Sequence, residues 1–307
     1  VPVVVPAAVR TGAGRAPGGA AWLARLPELV ARALERWDLR AGEPFASGSA
    51  SWCAPVTGPD GADLVLKVAY PHDEARDEAA VLRAWDGSGA PRLVDAHAGD
   101  WALLLERVRP GTPLRAARTP VRRRLAEGAG VLRALHGSAT PAVVPDLTAV
   151  AAGWAGLMER RAAAHPATGL DPGLLTSALD VLRAPAPARL VLLHGDLNPG
   201  NLLRAPGGWC AIDPKAMRGD PAYDPWPLLE QVGAPWRTPD PVRELRDRTR
   251  LVAERAALDP VAVASWSHAR STEQALWLAA HGARPSEVAA TWRRSRAWAE
   301  VRDALAG

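Results

Sequence analysis

The chain has 307 residues, 37 of them basic and 33 acidic, for a formal net charge of +4; that length accommodates two lobes with a sizeable core. The excess is mild, and its densest run, at 122–124, has no aromatic residues interleaved, which argues for a solvated helix face and against nucleic-acid binding. Two cysteines, Cys53 and Cys210, form neither a disulfide framework nor a metal-ligand spacing, which suits a reducing cytoplasm, and no apolar run reaches the ~18 residues of a membrane span.

The first residues, VPVVVPAAVRTGAG, are apolar, broken by proline and without a basic leader; they read as a loose or edge segment, not a signal peptide. From 21 to 37 apolar residues recur at helical spacing, among them Trp22, Leu26, Leu29, Val30, Leu34 and Trp37. Residues 45–56, FASGSASWCAPV, read as a strand, a small-residue turn and a second strand. GPDGADLVLKVAY adds a turn and an apolar strand carrying Lys67. An amphipathic helix is expected at 72–85, acidic in its first turns where the helix macrodipole favours negative charge. Residues 91–108 read as a hairpin that runs into the break RPGTPL. From 119 onward helices dominate. Three precede the short strand LVLLHGD, a compact hairpin NLLRAPGGWCAID follows, and three more are expected near 240–257, 259–281 and 285–305. A mostly β first third before a mostly helical remainder predicts an α+β fold, with a small β-rich lobe at 1–107 and a larger helical lobe at 108–307.

The stretch HGDLNPGN, 194–201, contains both asparagines of the chain, Asn198 and Asn201. Asp196 follows an apolar strand and a glycine, Asn201 stands five positions later, and the next hairpin delivers Asp213. Asn201 and Asp213 are the hard oxygen donors that Mg2+ accepts alongside phosphates. Asp196 suits a different task, accepting a hydroxyl proton or orienting the hydroxyl. This is the spacing of the kinase catalytic loop, H-x-D-x-x-x-x-N, with a metal-binding Asp downstream. Lysine is rare too: only Lys67 and Lys215 interrupt the use of arginine, so each marks a place where a compact ammonium is wanted. Lys67 sits mid-strand, a poor site for an unpaired charge. Glu78 on the next helix is its expected partner, with Glu74 one turn earlier as the competitor. SGSAS, 47–51, is the expected phosphate-covering turn, where backbone N–H groups and Ser49 or Ser51 approach phosphate. It has one glycine, where G-x-G-x-x-G has three. LLLERV, 103–108, is where a hinge should fall, with backbone groups of Glu106 and Val108 set to pair with an adenine edge.

The block LVLLHGDLNPGNLLRAPGGWCAIDPKAMRGDPAYDP resembles the aminoglycoside phosphotransferases, relatives of the protein kinases. Its I-D-P-K, the following GDPAYD and the upstream GEPFASG look most like the streptomycin 6-phosphotransferase and hydroxyurea phosphotransferase branch. The resemblance runs from about Trp37 to the last helices. It implies a bilobal kinase-like fold and ATP-dependent, Mg2+-assisted transfer of a γ-phosphoryl group to an antibiotic hydroxyl. It further implies a cytoplasmic monomer whose partner is a small-molecule aminoglycoside, with no nucleic acid and no membrane involved. By matching positions, Asp196 is the catalytic base and touches the acceptor, Asn201 and Asp213 hold Mg2+, and Lys67, held by Glu78, contacts the ATP phosphates. Ser49, Ser51, Glu106 and Val108 complete the nucleotide site. His194 braces the loop, and Lys215 either contacts phosphate or stabilises the loop. Asp220 and Asp224 are expected to face a guanidinium- or ammonium-rich acceptor, Asp224 with bracing of the catalytic loop as an equal alternative. Trp266, Trp277, Trp292 and Trp298, at helical spacing, read first as core and second as walls of a sugar-binding cleft. Without D-F-G or an activation-loop signature, protein substrates are not expected. The leading expectation is inactivation of streptomycin at its 6-hydroxyl, giving antibiotic resistance. The alternatives are the same chemistry on hydroxyurea or another small hydroxyl acceptor, and a nucleotide-binding regulator without turnover.

Overall fold

The computed structural model describes residues 3–46, 48, 50–166, 171–183 and 187–307. They fall into two compact units, Val1–Arg109 and Pro110–Gly307.

The first unit is built on an antiparallel sheet of β1 (Arg40–Ala41), β2 (Ser51–Thr57), β3 (Asp63–Ala69), β4 (Leu93–His97) and β5 (Ala102–Glu106), in the order β1-β2-β3-β5-β4. Strand β2 alternates as a half-buried strand should: Trp52, Ala54 and Val56 face the core while Cys53 and Pro55 do not. Two helices belong to this core, α1 (Ala7–Gly14) and α2 (Gly19–Arg36), whose Leu26, Val30 and Ala33 join Trp52 and Val56 of β2 and Leu66 and Val68 of β3. Helix α1 corrects the expectation of a loose N-terminal segment. Val9 and Ala13, one helical turn apart, are both buried in this cluster, so packing orders a stretch too short to be helical by itself. The strand expected at 45 does not form either. Pro44 lacks an N–H, and after β1 the segment meets β2 through isolated bonds, from the Gly42 N–H to the Pro55 carbonyl and from the Phe45 N–H to the Cys53 carbonyl. The helix expected over 72–85 is interrupted at Asp77 (φ −99°, ψ 0°), giving α3 (Asp73–Arg76) and α4 (Glu78–Trp85).

The second unit contains α5 (Val121–Leu135), α6 (Leu147–Ala164), α7 (Pro172–Arg183), then β6 (Val191–Leu193), β7 (Leu202–Ala205), β8 (Gly208–Ala211) and β9 (Met217–Gly219). It closes with α8 (Trp226–Gln231), α9 (Pro241–Ala256), α10 (Pro260–Ala280) and α11 (Pro285–Ala306). Strand β6 pairs with β9, which the sequence pattern does not announce, and β7 pairs with β8. Helix starts are well marked: Asp240 and Asp259 cap α9 and α10, each followed by proline at the first helical position. Asp146 caps α6 by accepting the Thr148 N–H at 2.8 Å. Its exposed contact with Arg218 at 3.4 Å adds little. Asp146→Ala is therefore expected to lower stability by about 1 kcal/mol, read as a shifted urea midpoint with an unchanged slope.

Trp266, Trp292 and Trp298 are buried, which meets the expectation of core residues; Trp277 is 44% exposed. Among the described residues no helix is long and apolar enough to cross a membrane.

Candidate active site

In the first unit β3 lies between β2 and β5, so Lys67 stands on an inner strand opposite Cys53 and Leu103. An unpaired ammonium there would be costly. Its Nζ donates to both carboxylate oxygens of Glu78, at 2.6 and 2.8 Å, and both side chains are less than a tenth exposed. The break at Asp77 makes Glu78 the first residue of α4. Glu74, the competitor, is 60% exposed and lies 4.0 Å from His72. A buried pair of this kind contributes little net stability, because desolvation offsets the attraction; its value is a fixed ammonium. Ser51, buried, opens β2, Gly48 adopts φ +108°, and Ser49 lies outside the described residues. Glu106 closes β5 with its N–H donated to the Arg92 carbonyl at 3.0 Å, so its carbonyl is the group that could meet a base edge. Val108 follows, half-buried, in a segment pinned by Arg107 and Arg109 to Asp63 at 2.9 and 2.8 Å. Those two guanidinium groups hold the Asp63 carboxyl below its ordinary range.

In the second unit the loop 194–201 leaves β6 and is anchored from beneath by Asp224. This carboxylate is fully buried and accepts the His194 N–H at 2.9 Å, the Gly195 N–H at 2.7 Å and the His136 Nε2 proton at 2.9 Å. Burial pushes its pKa up, but the His136 hydrogen bond, with His136 and His194 nearby, outweighs that and holds it below the ordinary carboxylate value. Of the two roles open to Asp224, the brace is therefore the one the structure supports. Its expected place facing an acceptor is corrected, since it has no surface to offer. Asp220 is half-buried, and its oxygens accept from the Ala222 N–H and the Trp266 indole, each at 2.9 Å.

Gly195 has φ +82°, and a Cβ there would lie 2.1 Å from the Lys215 carbonyl oxygen, so glycine is required for both backbone and space. The same crossing is fastened by the Lys215 N–H donating to the His194 carbonyl at 2.7 Å. His194 is fully buried. Its Nε2 faces the Ile212 carbonyl at 3.1 Å and its Nδ1 accepts the Asp196 N–H at 3.3 Å, which assigns the proton to Nε2. Burial lowers its pKa against the opposing pull of Asp224, Asp196 and Asp213, and with both ring nitrogens engaged inside the loop the ring acts as a brace.

Both asparagines act on Asp196. Asn198 Nδ2 donates to Asp196 Oδ2 at 3.1 Å while its Oδ1 accepts the Gly200 N–H at 2.8 Å. Asn201 Nδ2 donates to the Asp196 carbonyl at 3.0 Å and lies 3.4 Å from Oδ2. A carboxylate at either position could accept but not donate, and would repel Asp196; only the amide does both. With its nitrogen turned to Asp196, Asn201 presents its carboxamide oxygen on the other side of the group. Asp213 stands two residues beyond β8, at φ +58°, an uncommon conformation for a non-glycine residue. Its carboxylate is 44% exposed and 3.4 Å from Lys215 Nζ. The Ile212 N–H donates to the Asn201 carbonyl at 2.9 Å, so Asp213 leaves the hairpin where Asn201 enters it. One carboxylate and one carboxamide oxygen fit a hard divalent cation. Among the described residues no three His, Cys, Asp or Glu side chains gather to hold a metal. A cation at Asn201 and Asp213 would thus need water and phosphate oxygens as its remaining ligands, the habit of Mg2+.

The second unit thus brings together Asp196, Asn201, Asp213 and Lys215 as the spacing predicts. His136 and the orienting role of Asn198 were not read from the sequence. The rarity of asparagine pointed to Asn198; nothing local pointed to His136, 88 positions from Asp224.

The sequence profile described as aminoglycoside/hydroxyurea antibiotic resistance kinase matches residues 36–282. A streptomycin 6-kinase of Streptomyces glaucescens is 35% identical over 90% of this chain and 91% of its own. A hydroxyurea phosphotransferase of Kitasatospora aureofaciens is 36% identical over 85% of this chain and 76% of its own. Among solved structures, a thermostable mutant of aminoglycoside phosphotransferase APH(4)-Ia in ternary complex with ADP and hygromycin B superposes with TM-score 0.56 at 16% identity, covering 88% of this chain and 97% of that one. That likeness bears out the kinase-like fold, with a β-sheet N-terminal part and a helical C-terminal part. A chain with this loop, this fold and these relatives belongs to the aminoglycoside/hydroxyurea antibiotic resistance kinase family.

Proposed function

We propose that the chain is an ATP-dependent phosphotransferase that inactivates an aminoglycoside, with streptomycin at its 6-hydroxyl as the best-supported acceptor. The observation that carries this reading is the Asp196 carboxylate, half-buried and oriented by two carboxamide nitrogens inside an H-x-D-x-x-x-x-N loop. Residues 1–107 serve as the nucleotide-binding part and 108–307 as the catalytic and acceptor-binding part. Lys67, locked by Glu78, presents a fixed ammonium to the α- and β-phosphates. Ser51 and the backbone around Gly48 cover the phosphates, and the Glu106 carbonyl and Val108 meet the base. Asn201 and Asp213 hold Mg2+, which when bound neutralises charge on the phosphates. Asp196 orients the acceptor hydroxyl and takes its proton as the oxygen attacks in line. Lys215 sits beside Asp213 and keeps the loop closed over Gly195. Phosphorylation would place a dianionic group where the antibiotic had a hydroxyl donor.

The test is ADP release against a panel of streptomycin, other aminocyclitols and hydroxyurea. Streptomycin-dependent turnover with the phosphate on the 6-hydroxyl is expected; none with any acceptor would end the kinase reading. The 36% identity to a hydroxyurea phosphotransferase supports a second reading, the same chemistry on hydroxyurea. A further expectation concerns the cation. Asp213→Asn should raise the Mg2+ concentration for half-maximal rate by about tenfold or more, since a formal charge is lost from a two-ligand site. An unchanged Mg2+ titration would remove Asp213 from that role.

A further inference from the structure

The break RPGTPL, 109–114, is held along β7. The Gly111 N–H donates to the Arg204 carbonyl at 3.0 Å, the Arg204 N–H donates to the Thr112 carbonyl at 2.9 Å, and Pro113 bridges Leu203 in the antiparallel sense. Leu114 is fully buried and opens a single 3-10 turn, Leu114–Ala116, which fixes the direction of the chain at Arg115. The next backbone bond reaches the catalytic loop itself, for the Arg115 N–H donates to the Pro199 carbonyl at 2.9 Å. Pro199 stands between Asp196 and Asn201.

The Arg115 side chain continues along the loop toward Asn201. A Cβ on Gly200 would lie 3.1 Å from Arg115 Nη1, 3.6 Å from its Cζ and 2.9 Å from Asn198 Oδ1. Gly200 does not have the positive φ of Gly195, so glycine is needed here for space. Its missing side chain lets the guanidinium lie against the loop backbone and leaves Asn198 Oδ1 its bond from the Gly200 N–H. The guanidinium is exposed and has no hydrogen-bond or ion-pair partner among the described residues. A planar fork of donors, held at the Asn201 end of the loop and left unengaged, suits an anion with several oxygens. The proposed reaction joins one polyanion, the nucleotide, to an acceptor rich in ammonium or guanidinium groups. A guanidinium repels the second and fits the first.

We propose that Arg115 is a phosphate-binding residue, its guanidinium donating to oxygens of the terminal phosphates of the nucleotide from the Gly200 side of the loop. The 109–115 segment, strapped to β7 and to Pro199, is what aims it there. The proposal rests on the phosphotransferase reading above and adds to it a charge-neutralising group that the H-x-D-x-x-x-x-N spacing does not contain.

Arg115 is exposed, so its replacement leaves folding intact, which urea midpoints would check. Arg115→Met keeps an unbranched apolar stem against Gly200 and removes the charge, while Arg115→Lys keeps the charge and removes the fork. ATP affinity of the full chain would be measured by calorimetry with Mg2+ present, and adenosine affinity by competition against ATP. KM for ATP, KM for the acceptor and kcat would be measured with streptomycin. Arg115→Met is expected to weaken ATP binding and raise its KM by about tenfold, with adenosine affinity and the acceptor KM within about twofold of wild type. Arg115→Lys should recover part of the loss. An unchanged ATP affinity in Arg115→Met, an equal loss for adenosine and ATP, or a KM rise confined to the acceptor would overturn the proposal. A fall in kcat at unchanged ATP affinity would do the same, since it would make Arg115 a brace of the loop; transfer itself would leave the kinase reading standing. ATP binding that depends on Arg115 without transfer to any acceptor would instead sink the kinase reading and keep the phosphate contact.

Discussion

Asp196→Asn is expected to lower kcat by about 10²- to 10⁴-fold while leaving ATP affinity within a few-fold of wild type. The substitution is nearly isosteric. An amide oxygen at this position still accepts from Asn198 Nδ2, so the loop keeps its shape. What disappears is the negative charge and the ability to take a proton. The expected separation is therefore between chemistry and binding: single-turnover transfer collapses, whereas nucleotide binding, proposed to depend on Lys67 and the oxygens of Asn201 and Asp213, persists. Nucleotide titration beside an ADP-release assay reads both quantities. A variant that retains the wild-type rate would remove Asp196 as the base.

Asp224→Ala should have the largest effect on the folded state. Three donors converge on this carboxylate in a region without solvent: the His194 N–H, the Gly195 N–H and the His136 ring nitrogen. Removing the acceptor leaves all three unsatisfied, a loss of about 3–5 kcal/mol by the measure of other broken buried pairs. Activity should fall with it even where the variant remains folded, because the two N–H groups set the path of the loop just before Asp196. The pH dependence gives an independent reading. The folded-state pKa of Asp224 lies below the ordinary carboxylate value, so in the folded protein the charged form is favoured. Its contribution is then complete above the unfolded-state pKa and is lost as the pH falls through the lower folded value, that is, below about pH 4. The wild type should lose stability over that window, and Asp224→Ala should lose less. Parallel urea midpoints for the two proteins from neutral pH down to about pH 3 would contradict the brace.

How far such features can be read without coordinates differs from residue to residue. Lys67 and Glu78 were legible because a lysine mid-strand in a chain that avoids lysine demands a partner, and the next helix offered two glutamates. Which of them answers was settled by the interruption at Asp77, which starts α4 at Glu78 and leaves Glu74 in solvent. The long C-terminal helices carry their own starts, in Asp–Pro pairs at 240–241 and 259–260. The three-residue strand β9 carries none; it exists because β6 is there to pair with it. Likewise α1 is helical because Val9 and Ala13 find a core.

The order of residues alone determined which candidate groups share one loop: a period of 3.6 or 2 places neighbours on one face, and the five-residue interval from Asp196 to Asn201 closes a loop within its own span. Only the tertiary structure decided that Asp224 turns inward to hold that loop, that His136 joins it, and that Trp277 stays exposed while Trp266, Trp292 and Trp298 are buried. The physical reason is range. Local spacing governs contacts made within a few residues, whereas a hydrogen bond across 88 positions is set by how helices pack, which no interval along the chain records.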